Sequence, residues 1–133
     1  MSDPLACAAS IANLRLMAGR GTVAHARAVG ERIGAVLEPL AKEEGVREVR
    51  RLGTMTGIEL AADDGAPFDP ALRVGWRVCR RARDEGVLIR PLGDVVVLMP
   101  PLAIGDDDLA LLTDVTADCI RHVLDELRVT EVP

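Results

Sequence analysis

The segment GVLIRPLGDVVVLMPP, Gly86 to Pro101, constrains the fold more than any other stretch of the chain. Two apolar runs rich in β-branched residues flank Pro-Leu-Gly-Asp, a composition that turns a chain back on itself. The pattern predicts a strand over Val87–Arg90, a turn over Pro91–Asp94 and a strand over Val95–Met99, with Pro100-Pro101 stopping the pairing. One residue is out of character. Arg90 closes the first apolar run, and a guanidinium is costly to bury and cannot shed its proton. Two explanations stay open on the residues alone. Arg90 snorkels or pairs with a structural carboxylate such as Glu59, or its fork grips a carboxylate ligand through two parallel hydrogen bonds.

The remaining segments alternate between helical and strand patterns. PLACAASIANLRLMA, Pro4 to Ala18, is helical, with Asp3 as N-cap and Pro4 in the first turn. Leu5, Ala8, Ala9, Ala12 and Leu16 form one stripe, while Ile11, Leu14 and Met17 fall elsewhere. Such a helix is apolar nearly all round and expects cover on most sides. Thr22 is placed to cap a second helix over Val23–Glu44, with Val29, Ile33, Val36, Leu37 and Leu40 at helical spacing and Pro39 as its interruption. Strands are predicted over Arg47–Leu52 and Thr54–Leu60, with a turn or bulge at Gly53, and Ala61–Pro70 reads as a loop. A third helix, Ala71–Glu85, sets Leu72, Trp76, Cys79 and Ala82 on one side and Arg73, Arg77 and Arg80 outside, the latter read as a solvated face. Gly86 ends it. A last helix, capped by Gly105 or Asp106, runs to Leu127 on the stripe Leu109, Leu112, Thr116, Cys119, Ile120, Val123 and Leu127.

The order α-α-β-β-α-β-β-α implies an α+β fold, a small, mostly antiparallel sheet covered by helices. It forms one domain over residues 1–133, with 128–133 as a tail. Hydrophobic residues make up 49% but aromatics only 2%, so Ala, Val, Leu and Ile must build the core. The net charge of −5 argues against a nucleic-acid surface. No apolar run approaches the roughly 20 residues of a membrane span. Cys7, Cys79 and Cys119 are far apart, with no CxxC, and read as reduced core thiols of a cytoplasmic protein.

Catalytic groups are scarce. His25 and His122 lie apart with no ligand set beside them, and no metal site is expected. Asp106-Asp107-Asp108 suits the positive end of a helix. Gly53-Thr54-Met55-Thr56-Gly57 reads as a bulged strand start rather than a phosphate loop, and Ser10, Thr113 and Thr116 have no activating histidine nearby. Lysine is the informative absence. Of 16 Lys plus Arg, only Lys42 is a lysine, beside Glu43 and Glu44. Schiff-base chemistry needs a partly neutral amine, and adjacent carboxylates hold the proton on.

DPLACAASIANL, RRLGTMTGIEL and GVLIRPLGDVVVLMPPLAI, in this order and spacing, resemble the C-terminal part of class III PLP-dependent aminotransferases over about Asp3–Leu127. The likeness is strongest to the biotin-synthesis branch, which aminates 8-amino-7-oxononanoate. The resemblance implies dimers of fold-type I, with PLP, the Schiff-base lysine and its acidic partner on a large domain, and a small C-terminal domain closing over the substrate. It also implies that Arg90, in Ile89-Arg90-Pro91, clamps the acceptor carboxylate, and that this chain carries no catalytic or cofactor-binding residue. Ser2-Asp3-Pro4 stands where the family has Gly-Asn-Pro, and the preceding threonine that meets the neighbouring subunit's cofactor phosphate is not matched. The expectation is a free-standing small domain from a split or truncated gene. It would be inactive alone and would bind PLP only with a complementary large-domain chain. Its expected partners are that chain, or a second copy through the Pro4–Ala18 helix, and a small keto acid, with neither nucleic acid nor membrane. Two other readings stay open, a non-catalytic remnant or interaction module and an independent anion-binding domain using Arg90.

Overall fold

The computed structural model describes residues 3–130. Asp3 starts α1 (Pro4–Gly19) by accepting the Leu5 and Ala6 N–H groups on its side chain. None of α1 is buried, and its packing is against α2. Cys7 is therefore exposed rather than a core thiol, because its helix buries none of its side chains among the described residues. The second helix, α2 (Thr22–Leu37), begins one residue earlier than expected. Gly21, at φ 60°, is the cap, and Thr22 is already helical. Pro39 ends its regular part, and Glu38–Lys42 tightens into a 3₁₀ turn.

Two hairpins build one antiparallel sheet. The strands β1 (Val46–Leu52) and β2 (Met55–Leu60) are joined at Gly53-Thr54, with the bulge at Val46/Glu48 rather than at the glycine. The strands β3 (Arg90–Leu92) and β4 (Val95–Leu98) are joined at Gly93-Asp94. The order is β1-β2-β4-β3, so β3 is an edge strand and Pro91 is tolerated within it. In both turns glycine takes the first central position at positive φ, 59° at Gly53 and 60° at Gly93, where other residues are strained.

The second hairpin is shorter than its apolar runs suggest. Residues 87–89 are not strand, because Val87 N–H returns to the Ala82 carbonyl (2.8 Å) and Gly86 N–H to Arg83 (3.0 Å), with Gly86 at φ 84°. That pattern satisfies the last carbonyls of α3 (Val74–Asp84) and commits the segment to ending a helix. The start of α3 also differs. Pro70–Leu72 is a separate 3₁₀ turn and Arg73 adopts φ 49°. Its buried stripe is Val74, Gly75, Val78, Cys79 and Ala82, whereas Leu72 and Trp76 lie outside the core. The last helix, α4, spans Asp106–Thr130 with its stripe buried as expected except for half-buried Leu112. Of the tail read over 128–133, residues 128–130 continue α4, and 131–133 lie outside the described residues.

Strand alternation splits the sheet into two faces. Thr56, Ile58, Leu60, Val96 and Leu98 are buried under α2, α3 and α4. The register sets Arg50, Gly57, Val97 and Arg90 in one row across the opposite face and Glu48, Glu59, Val95 and Leu92 in the next. On that outer face Arg50, Arg90 and Leu92 are exposed, and Glu59, Val95 and Val97 are half-buried.

Helices meet the hairpin turns at glycines. A Cβ on Gly75 would lie 2.4 Å from the Gly93 carbonyl oxygen, and one on Gly30 2.1 Å from that of Gly53. Asp94, from the same turn, accepts the Gly75 N–H (3.1 Å), capping α3 from across the fold. Gly75→Ala should therefore destabilise the chain by about 1–3 kcal/mol, the cost of overpacking against an immobile backbone. Urea denaturation measures this, and an alanine variant as stable as the parent would refute the docking.

Candidate carboxylate-binding site

Arg90 opens β3 at the sheet edge, its guanidinium exposed. Cross-strand pairing places it beside Val97. It lines a cleft of about 530 Å³ whose apolar walls come from Leu88, Val97, Met99, Ile104 and Leu111, and Asp108 lines it as well. Ile104, Asp108 and Leu111 escaped the sequence reading because only the tertiary fold brings the start of α4 to the hairpin. The Pro100-Pro101 stop was the one signal that the chain turns there.

The pairing with Glu59 does not occur. Glu59 sits on β2, two strands from Arg90, and accepts from Arg50 (2.5 Å) and Arg47 (3.3 Å). The Arg50 hydrogen bond, helped by Arg47, holds the Glu59 carboxyl below its ordinary range. Arg50 also takes Glu48, and Arg51 takes Glu38. Among the described residues no carboxylate forms an ion pair with Arg90. Its fork is free to hold an anion bidentately, and the apolar walls suit a ligand with an aliphatic body.

The other candidate groups are placed elsewhere. Lys42 is exposed at the end of the 3₁₀ turn, and neighbouring Glu43 is held by Arg121 (2.9 Å). An aldehyde cofactor held as a Schiff base needs a desolvated amine in a cleft, and Lys42 offers neither. These residues do not fit covalent anchoring of PLP. His122 bonds Glu126 (2.9 Å), and His25 lies in a separate cleft with Asn13 and Arg20. Among the described residues no group of three or more His, Cys, Asp or Glu converges as a metal set. Asp106 pairs with Arg32, and all three aspartates occupy the first turn of α4. The hydroxyls of Ser10, Thr113 and Thr116 donate to carbonyls of their own helices. No described helix is long and apolar enough to cross a membrane.

Burial, together with the nearby Cys119, pushes the Cys79 thiol up to about 11, and burial raises Cys119 as well. The stability that buried, neutral Cys79 represents is present below the free thiol's pKa and is lost as pH climbs towards 11. At pH 8 only about one Cys79 in a thousand is thiolate. Alkylation at that pH should label exposed Cys7 and spare Cys79 and Cys119 until the chain unfolds. Equal labelling of all three in the native state would contradict the buried pair.

A family model described as "Aminotransferase class-III" matches residues 1–120. An adenosylmethionine-8-amino-7-oxononanoate aminotransferase of Nitratidesulfovibrio vulgaris is 44% identical over 91% of this chain and 23% of its own length. The protein of that name from Aquifex aeolicus is 35% identical over 92% of the chain and 28% of its own length. Among solved structures, the one so named from Methanocaldococcus jannaschii superposes with a TM-score of 0.79 at 28% identity, covering 87% of this chain and 27% of that one. An omega-transferase of Vibrio fluvialis JS17 gives 0.85 at 26% identity, covering 94% and 30%. The chain thus spans about a quarter of the length of the curated relatives it matches.

Proposed function

Because this chain belongs to the class-III aminotransferase family, we propose that it is the acceptor-gripping part of a PLP-dependent transaminase, in which Arg90 holds the carboxylate of a keto acid. The observation that carries this reading is the free guanidinium of Arg90 in an apolar cleft, in a sheet whose other arginines are committed to Glu38, Glu48 and Glu59. Two parallel hydrogen bonds fix the carboxylate in position and plane. The cleft walls then direct the aliphatic body away from the clamp, which leaves the carbonyl to chemistry performed elsewhere. The similarity to 8-amino-7-oxononanoate aminotransferases supports that keto acid, or one like it, as acceptor.

PLP would supply the electron sink for amino transfer, and its anchoring lysine belongs to the rest of the enzyme, for which exposed Lys42 is no substitute. Two surfaces support a requirement for that remainder. Leu5 (78% exposed) and Leu14 (65%) stand out on α1, and Leu92 (74%) stands out on the outer sheet face. Exposed apolar side chains along one helix and one sheet face suit surfaces that another body covers. The body proposed is a large domain or, through α1, a second copy, in a cytoplasmic dimer. The alternative, a non-catalytic interaction module, is favoured by the uncovered α1 and would make the same contacts without turnover.

Assembly with a lysine-bearing large domain tests the reading. Arg90→Ala should cost about 1.5–3 kcal/mol in acceptor binding, seen as a raised KM for the keto acid with the amino-donor half-reaction unchanged, and Arg90→Lys should recover part of the loss. An unaltered acceptor KM would remove Arg90 from the site. Turnover by the pure 133-residue chain alone would overturn the assignment of the amine to the rest of the enzyme.

A further inference from the structure

We propose that the outer stripe of α3, Trp76, Arg80 and Arg83, together with the capping residue Arg73, is a docking surface for an acidic protein segment, a role separate from the Arg90 site. Trp76, Arg80 and Arg83 follow i, i+4 and i+7 and share the helix face opposite the buried stripe, and Arg73, the residue that caps the helix, stacks on the same tryptophan. Trp76, the chain's one tryptophan, stays 39% exposed. Its ring carries the Arg73 guanidinium at 4.5 Å and that of Arg80 at 5.4 Å. Stacking holds both cations in place without neutralising them.

Charge is segregated here. Arg32, Arg50, Arg51, Arg77, Arg121 and Arg128 each have a carboxylate. Arg73, Arg80 and Arg83 form no ion pair among the described residues, and although the same holds for Arg15, Arg20, Arg27, Arg81 and Arg90, here three such cations gather around one exposed tryptophan in a chain of net charge −5. Arg73 is also the only described non-glycine residue at positive φ, 49°. A side chain there is strained, and strain of this kind persists where a function uses the residue. An exposed tryptophan ringed by ordered arginines has the composition that dominates binding energy at protein interfaces.

Charge complementarity calls for carboxylates. The stripe is short, about 15 Å at the helical rise, and is bounded by Asp69, Asp84 and Glu85. A polynucleotide needs a longer basic track to release counterions along its length. A few acidic side chains on a protein segment match both the extent and the geometry.

With one Trp and no Tyr, intrinsic fluorescence reports Trp76 alone. Short poly-L-glutamate titrated into the chain at low salt should produce a saturable fluorescence change. The Arg73→Gly, Arg80→Gln double variant should bind at least tenfold more weakly, and Arg27→Gln, a control away from α3, should bind like the parent. Glycine suits φ 49°, so Arg73→Gly alone should keep or raise Tm, which separates lost binding from lost folding. The proposal fails if fluorescence does not change, if the double variant binds like the parent, if Arg27→Gln weakens binding equally, or if single-stranded DNA binds more tightly than poly-L-glutamate.

Discussion

The contact of Gly75 with the Gly93 carbonyl oxygen fixes the relation between helix and sheet on which the rest of the site depends. A helix can approach a turn that closely only where it has no side chain. Asp94 then accepts the Gly75 N–H, so one two-residue turn both ends the hairpin and starts the helix. The β1–β2 turn repeats the arrangement, with Gly53 against Gly30 of α2. Each hairpin is thereby held at its tip by a helix, while its strands are held by the ladder. Moving Gly93 would move β3, and with it Arg90.

Strand order converts that rigidity into chemistry. In the order β1-β2-β4-β3 the charged strands β1 and β2 lie together, and the apolar strand β4 separates them from Arg90 on β3. Glu59 is consumed by Arg50 and Arg47 on its own side of the sheet. Arg90, beyond β4, is left with the apolar side chain of Val97 for a neighbour. Had the hairpins paired in simple succession, β3 would lie next to β2, and Glu59 would be within reach of neutralising Arg90. The edge position of β3 also lets Pro91 sit in the ladder at no cost in hydrogen bonds.

The element order was legible because local signals agreed with the global fold. Asp3-Pro4, the interruption at Pro39, the Gly86 stop and the α4 stripe all mark their elements by local chemistry. What escaped the reading depends on groups far apart in sequence. Val87–Ile89 has strand composition, yet the Val87 N–H closes α3. Leu72 and Trp76 are the largest apolar residues around α3, but its buried face is chosen by Gly75, which packs through having no side chain. Arg90 was visible as an anomaly. That Glu59 was already taken, and that α4 supplies a wall of the cleft, followed only from strand order and helix placement.

Among the arginines of the sheet, Arg90 is the guanidinium left free to receive a carboxylate. The most direct measurement follows the arginine Nε–H resonances of the chain during titration with a keto acid such as 8-amino-7-oxononanoate. A saturable shift of Arg90 is expected, while Arg50 and Arg51, held by Glu59 and Glu38, stay in place. An Arg90 resonance that does not move, with Arg50 or Arg51 responding instead, would contradict it.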